Sequence, residues 1–227
     1  TLTYTFKDDS TLNGASANTG TTNITVTGGV YNYAAAGLST NVSLGNTHVG
    51  VAFGNQSVAI TNTAASGSYT EGLDVSISGS NGATGSGSVS LLGGGSNSSA
   101  ISVGGLSTAA SGAKSGSLTL TLTSDGTGSS GLGNTGLGTT NLNVTGNVYA
   151  YAAGTFASTN VSLGNIHTGG TFGTNSLSLT NSATGAAGYV EALSASFTNG
   201  SGVTGTGSIS GLSFGSNSSA LSVNLSD

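Results

Sequence analysis

An internal repeat of about 118 residues constrains this fold more than any other feature of the sequence. The segment 40–46, TNVSLGN, recurs unchanged at 159–165, and the segment 95–100, GSNSSA, recurs at 215–220. No shorter period is visible between these matches. A repeat of this length corresponds to a whole folded unit rather than to one coil of a solenoid, whose period is about 20–30 residues.

The start of the chain belongs to the same scheme. Residues 2–6, LTYTF, resemble 118–122, LTLTL, and residues 21–28, TTNITVTG, match 139–146, TTNLNVTG. We therefore expect a circularly permuted order of repeats. Residues 1–28 are the last two strands of one repeat, 29–146 form a complete repeat, and 147–227 form a repeat that lacks its last two strands.

The composition excludes several classes of function. Charged residues make up 4% of the chain, with only two Lys or Arg, and Cys is absent. So few cations cannot form the basic surface that binds nucleic acid, and no apolar run is long enough to predict membrane insertion. Disulfides, thiolate metal sites and cysteine nucleophiles are excluded as well. We predict no enzyme activity and no cofactor.

Alternating apolar residues predict an all-β fold. Apolar side chains recur at every second position in short segments bounded by Gly, Ser and Asn, which is typical of strands with one buried face. These expected inward positions are Val58, Ile60, Leu73, Val75, Ile77, Val89, Leu91, Ile101, Val103, Leu118, Leu120, Leu122, Leu142 and Val144. About seven such strands per repeat indicate tandem immunoglobulin-like β-sandwiches. The alternative is a β-solenoid.

Several short motifs resemble a known family. The segments 42–50, VSLGNTHVG, and 57–63, SVAITNT, together with 113–121, AKSGSLTLT, and 141–146, NLNVTG, are similar to choice-of-anchor D repeats of the ASPM–SPD-2–Hydin group. The resemblance covers nearly the whole chain. It implies an immunoglobulin fold without catalytic residues, in long secreted or surface-anchored bacterial proteins.

The histidines and glutamates occur in equivalent pairs. His48 corresponds to His167, and Glu71 corresponds to Glu191. Zinc requires three or four ligands, and neither His has a neighbouring acid cluster. We therefore predict that the histidines are turn residues, that the glutamates are solvated acids at strand edges, and that there is no metal site.

Two further groups of residues could bind calcium or form cross-links. Asp8 and Asp9 could contribute to a calcium site, but Ca²⁺ requires six to eight oxygen ligands, so we favour a turn. Lys7 and Lys114 could form isopeptide bonds, but they occupy non-equivalent positions in the repeats. We expect neither cation binding nor cross-linking from these residues.

The permuted order predicts self-assembly. A sandwich without its last two strands leaves a bare core and open backbone hydrogen bonds. We expect strands 2–6 and 21–27 of one copy to fill this gap in the next copy. The donor residues are Leu2, Tyr4, Phe6, Ile24 and Val26. The acceptor residues are Leu177, Leu179, Leu193, Phe197, Ile209, Leu221 and Val223.

Head-to-tail donation of strands propagates into a fibre when the contact does not close on itself. The sequence therefore predicts a structural subunit of an extracellular, bacterial filament or sheath, whose partner is another copy of the same chain. Weak charge repulsion favours lateral bundling.

One alternative is a continuous tandem array on a longer polypeptide. Another is a surface adhesin that binds glycans through clustered aromatic residues. Tyr31, Tyr33, Tyr149 and Tyr151 cluster near the repeat junctions, where we expect them to pack adjacent sandwiches together.

Overall fold

The structure, a computed structural model, describes residues 1–7, 11, 13 and 18–225, without the side chains of 18 and 19. These residues form strands and loops and no helix, which confirms the all-β prediction. In chain order the strands are β1 (Leu2–Lys7), β2 (Asn18–Ile24), β3 (Ala36–Leu38), β4 (Asn41–His48), β5 (Gln56–Asn62), β6 (Gly72–Asn81), β7 (Thr84–Ser86), β8 (Ser88–Leu92), β9 (Asn97–Gly104), β10 (Gly112–Asp125), β11 (Thr135–Tyr149), β12 (Gly154–Phe156), β13 (Asn175–Asn181), β14 (Leu193–Ser196), β15 (Val203–Thr206), β16 (Ser208–Leu212) and β17 (Asn217–Leu225).

Strands β3–β11 form what we call the first sheet pair. One sheet has five strands in the order β4-β11-β10-β6-β8, and the other has four in the order β3-β5-β9-β7. Both sheets contribute side chains to a single buried apolar cluster. Two sheets that share one core are compatible with a β-sandwich. The number of strands is nine rather than about seven, because two three-residue strands extend the smaller sheet.

The alternation of side chains accounts for this core. Leu118, Leu120 and Leu122 point inward from β10 while the intervening Thr residues lie on the other face. Threonine is β-branched and favours strands, so the polar face also supports the sheet. Leu91 is an exception to the prediction, since it is exposed and has a positive φ of 49°. An irregularity in the β6–β8 register places Leu92 opposite Leu73 instead.

Strands β12–β17 form the second sheet pair, which is smaller. One sheet has the order β12-β13-β17-β15, and it corresponds strand for strand to β3-β5-β9-β7. The register agrees as well, since Leu177 lies opposite Leu221 as Val58 lies opposite Ile101. The other sheet contains only β14 and β16, the counterparts of β6 and β8. No described strand after β11 corresponds to β4, β10 or β11.

The pairing of strands disagrees with the β-solenoid alternative. A β-solenoid stacks parallel coils. Among the described strands, β4 and β11 form the one parallel pair, and the other paired strands run antiparallel.

A turn follows β10, whose last residue is Asp125. One carboxylate oxygen of Asp125 accepts hydrogen bonds from the hydroxyl of Thr127 at 2.6 Å and from its backbone N–H at 2.7 Å. The Thr127 hydroxyl bond is the largest cause that lowers the pKa of Asp125, followed by the backbone bond. The Asp125 carboxylate therefore stabilises the turn that follows it. Asp8 and Asp9, the matching residues near the start of the chain, lie outside the described residues.

Each sheet pair contains one fully buried asparagine at an equivalent position. The Oδ1 atom of Asn62 accepts from the backbone N–H groups of Ala35 and Ala64, and its Nδ2 donates to the carbonyls of Glu71 and Leu92. Asn181 makes the matching four bonds in the second sheet pair. This amide connects its own segment of chain to the segments at Ala35, Glu71 and Leu92.

Replacement of Asn62 by alanine is expected to lower the free energy of unfolding of the first sheet pair by about 3 kcal/mol, because four backbone groups lose the buried amide as their partner. Urea unfolding would measure the loss. The control is Asn41→Ala at an exposed position, where we expect a change within about 0.5 kcal/mol. A cost for Asn62→Ala no larger than that of the control would contradict the role given to this amide.

Candidate self-assembly site

Strands β1 and β2 form an isolated antiparallel hairpin. They pair with one another and make a two-stranded sheet of their own. The predicted donor residues Leu2, Tyr4, Phe6 and Ile24 are 47–54% exposed, and Val26 is 75% exposed. A two-stranded hairpin is marginally stable in water unless its apolar face is covered. The hairpin therefore presents a row of exposed apolar side chains.

The hairpin repeats the geometry of β10 and β11 residue by residue. Leu2 lies opposite Ile24 as Leu118 lies opposite Leu142. The register shift between Phe6 and Lys7 matches the one between Leu122 and Thr123. The hydroxyl of Thr3 bonds the Asn23 amide oxygen at 2.8 Å, and the counterpart bond from Thr119 to Asn141 measures 3.0 Å.

The matching side chains of β10 and β11 are buried. Leu118, Leu120, Leu142 and Val144 have no exposed surface, and Leu122 is nearly buried. They pack between β6 and β4 against the opposite sheet. The same strand geometry is therefore covered in one place and bare in the other.

The second sheet pair has an apolar cavity. Its volume is about 410 Å³. The apolar side chains that line it come from β12, β13, β15, β17 and the segment 158–163. They are Phe156, Val161, Leu163, Leu177, Val203, Val223 and Leu225.

The predicted acceptor residues lie in the lining of this cavity or in the apolar cluster of the second sheet pair. Leu179, Ile209 and Leu221 are buried together, and Leu177, Leu193 and Phe197 are partly buried against them. Val223 lines the cavity. Most of their counterparts in the first sheet pair are fully buried: Leu73, for example, has no exposed surface, whereas the matching Leu193 is only partly buried.

One predicted boundary differs from the structure. The sequence predicts a strand over 21–27, whereas β2 covers Asn18–Ile24 and leaves Val26 beyond its end. The counterpart of Val26 is Val144, which pairs with Gly116 on one side and with Val42 on the other. Here β1 begins at Leu2, opposite Ile24, so no residue of β1 lies opposite Val26.

Sequence reasoning also missed residues of both surfaces. Val30 is 90% exposed, whereas its repeat counterpart Val148 has no exposed surface. The cavity-lining residues Phe156, Val161 and Leu163 were missed on the acceptor side. The repeat alignment could have found Val30 if it had been extended past Gly28.

A compact joint connects the two sheet pairs. The His48 ring stacks on Tyr151, with centroids 4.2 Å apart, and its Nε2 atom lies 2.6 Å from the Glu191 carboxylate. The Tyr149 and Tyr189 rings lie 5.5 Å apart. Contrary to the prediction of a turn residue, His48 is the last residue of β4 and bridges both sheet pairs. The expected packing by tyrosines at the junction holds for Tyr151.

Glu71 is not the solvated acid that the sequence predicts. It is 1% exposed, and its carboxylate accepts hydrogen bonds from Ser124 at 2.7 Å and from Ser130 at 2.8 Å. These hydroxyls connect β10 and the loop after it to the residue that precedes β6. Glu191, its counterpart, remains exposed and faces His48 instead.

Other candidate chemistry finds little support within the described ranges. There, no group of three or more His, Cys, Asp or Glu could hold a metal ion. No helix in the same residues is long and apolar enough to cross a membrane. Lys7 lies opposite Asn18 in β2, and Lys114 lies opposite Gly146 in β11.

In comparisons with known proteins, no family model and no curated protein sequence matches the chain.

Proposed function

We propose that this chain is a structural subunit of an extracellular filament or sheath that assembles head to tail by strand complementation. The hairpin β1–β2 of one copy enters the second sheet pair of the next copy and takes the place that β10 and β11 occupy in the first. One observation carries the proposal: the exposed hairpin has the register, bulge and side-chain bond of the strands that the second sheet pair lacks.

The side chains of the two surfaces compensate each other in size at one pair of positions. In the first sheet pair Leu120 lies opposite Ile77 and Leu122 opposite Val75. Transfer of this register places Tyr4 opposite Phe197 and Phe6 opposite Ala195. A larger donor side chain at Phe6 thus meets a smaller acceptor at Ala195, which keeps the filled volume similar.

The burial of five donor side chains supplies the driving force. Full burial of an exposed apolar side chain contributes about 1.5–3 kcal/mol, and a side chain that is already half-buried contributes about half of that. Backbone hydrogen bonds to the free edge of β14 add specificity of register. The contact is heterologous, so it continues from copy to copy.

The permuted order of immunoglobulin-like repeats and the kinship with choice-of-anchor D repeats are part of this proposal. So is a bacterial, extracellular location. Only two Lys or Arg occur in the chain, which leaves almost no sites for trypsin-like proteases and suits a protein exposed outside the cell. With so little charge on their surfaces, filaments associate laterally into bundles.

Electron microscopy of the purified 227-residue chain tests the proposal, combined with a denaturing gel after boiling. We expect fibres that dissolve to a single band at 21.4 kDa. Fibres in native material that yield only a much larger band would indicate the continuous tandem array or covalent cross-links. Isolated particles at all concentrations would contradict the filament.

A glycan-binding adhesin is the second candidate, because a cleft of about 630 Å³ lies at the joint. Asn46, His48, Tyr149 and Glu191 line it and offer amide, acid and aromatic groups. Such groups recognise sugars when they are free to do so, but here His48 and Glu191 bind each other. Glycan-array binding that Tyr149→Ala abolishes would favour this candidate.

A further inference from the structure

We propose that the joint between two copies reproduces the joint inside the chain. Residues 160–167 of the copy that accepts the hairpin become a parallel strand against residues 25–31 of the copy that donates it, and His167 of the acceptor stacks on Tyr33 of the donor. The inference rests on the proposed strand complementation and extends the interface beyond the hairpin and the cavity.

One hexapeptide occurs twice in the chain. Residues 41–46 and 160–165 have the same sequence, NVSLGN, yet the first belongs to β4 and the second forms no strand. β4 is an edge strand whose sheet neighbour is β11. Because local sequence is identical, the neighbouring strand decides whether the segment is extended and paired. The segment 160–165 therefore has the sequence of a strand and lacks the partner.

The partner that this segment lacks is the counterpart of β11. In the first sheet pair β11 continues past the hairpin region, and its residues Asn143, Val144 and Tyr149 lie opposite Asn41, Val42 and His48. The repeat counterparts of the three β11 residues are Thr25, Val26 and Tyr31. The repeat counterparts of the three β4 residues are Asn160, Val161 and His167.

Side chains on both surfaces of this interface are exposed to solvent. Val26 and Val30 are strongly exposed, whereas Val144 and Val148 are fully buried. Tyr33 and His167 are exposed as well. Tyr33 is already placed by the same backbone bonds as Tyr151, since Asn32 bonds to Tyr69 and Glu71 as Ala150 does to Tyr189 and Glu191.

The two joints differ in one respect. Inside the chain His48 both stacks on Tyr151 and pairs with Glu191. Between copies the counterpart of Glu191 is Glu71, whose carboxylate is buried and bonded to Ser124 and Ser130. The joint between copies therefore has the ring stack without the ion pair.

Disulfide trapping tests the register. The chain has no cysteine, so the double variant Thr25→Cys with Asn160→Cys carries the only two thiols. The counterparts of these residues, Asn143 and Asn41, bring their side-chain amides within 3.3 Å of one another. Neighbouring strands lie about 4.8 Å apart, within reach of a disulfide. After oxidation we expect a ladder of covalent multimers on a non-reducing gel.

The matched control is Thr25→Cys with Ser162→Cys. Ser162 lies two residues beyond Asn160, so the two Cα atoms would be offset by about 6.6 Å along the strands in addition to the spacing between the strands. This separation is too long for a disulfide. We expect at least about a tenfold weaker ladder, because the backbone would have to move to close the bond. Equal ladders from both variants, or a disulfide within one chain, would overturn the inference.

Hydrogen exchange separates failure of the joint from failure of the filament. In wild-type filaments we expect the amides of 160–167 to exchange at least about tenfold more slowly than in unassembled chains, because they become strand bonds. Fibres without this protection and without the ladder would overturn the joint but leave strand complementation in place. Absence of fibres would overturn both.

Discussion

Replacement of Tyr4 by aspartate is expected to stop filament growth while the first sheet pair stays folded. In the proposed contact Tyr4 takes the place of Leu120, which has no exposed surface in the complete sheet pair. A carboxylate there would lose its water without gaining a hydrogen-bond partner, at a cost of several kcal/mol. A loss of about 4 kcal/mol corresponds to nearly a thousandfold rise in the critical concentration.

The critical concentration is measured by pelleting the fibres over a dilution series. Thr5→Asp is the control on the same strand. Its side chain lies on the opposite face because side chains alternate along a strand, and its counterpart Thr121 is only half-buried. We expect a change of a few fold for Thr5→Asp. Fibres of Tyr4→Asp at the wild-type critical concentration would exclude the hairpin as the donor.

Thermal unfolding completes this test. The core of the first sheet pair is built from β4–β11 and does not include β1 or β2. Tyr4→Asp should therefore leave the main unfolding transition where it is in unassembled wild-type chain. A lowered main transition would mean that the hairpin packs on the first sheet pair, and the loss of fibres would then have another cause.

The sequence predicts much of this fold because the strands depend on a local pattern. Alternation alone places Leu118, Leu120 and Leu122 on the buried face of β10. The matches of 2–6 to 118–122 and of 21–28 to 139–146 predict two donor strands, which the structure pairs in the register of β10 and β11.

Features that depend on distant neighbours could not be predicted in this way. Glu71 can be buried because the hydroxyls of Ser124 and Ser130, more than fifty residues away, donate hydrogen bonds to its carboxylate. His48 bridges two sheet pairs because Glu191 lies across the joint. The hexapeptide NVSLGN makes the same point most directly, because one sequence takes two conformations according to its neighbour.

A peptide of residues 1–28 is expected to bind the Tyr4→Asp chain and to stabilise its second sheet pair. This chain cannot donate its own hairpin but keeps the apolar cavity of about 410 Å³ open. Burial of the five exposed side chains, together with backbone bonds to the free edge of β14, opposes the ordering of the hairpin and the loss of translational freedom. We expect a dissociation constant of about 1 μM or lower, which corresponds to about −8 kcal/mol.

Calorimetric titration measures this affinity, and burial of apolar surface predicts a negative heat-capacity change. Hydrogen exchange should report protection confined to β12–β17 and the segment 158–167. The control peptide carries Tyr4→Asp, and we expect it to bind at least about a hundredfold more weakly, because its carboxylate would be desolvated without a partner. Equal affinity of the two peptides, or protection that spreads to β3–β11, would mean that the peptide binds somewhere other than the gap. Selective binding would instead show that an added hairpin alone completes the second sheet pair, so that growth of the filament requires no change in the first.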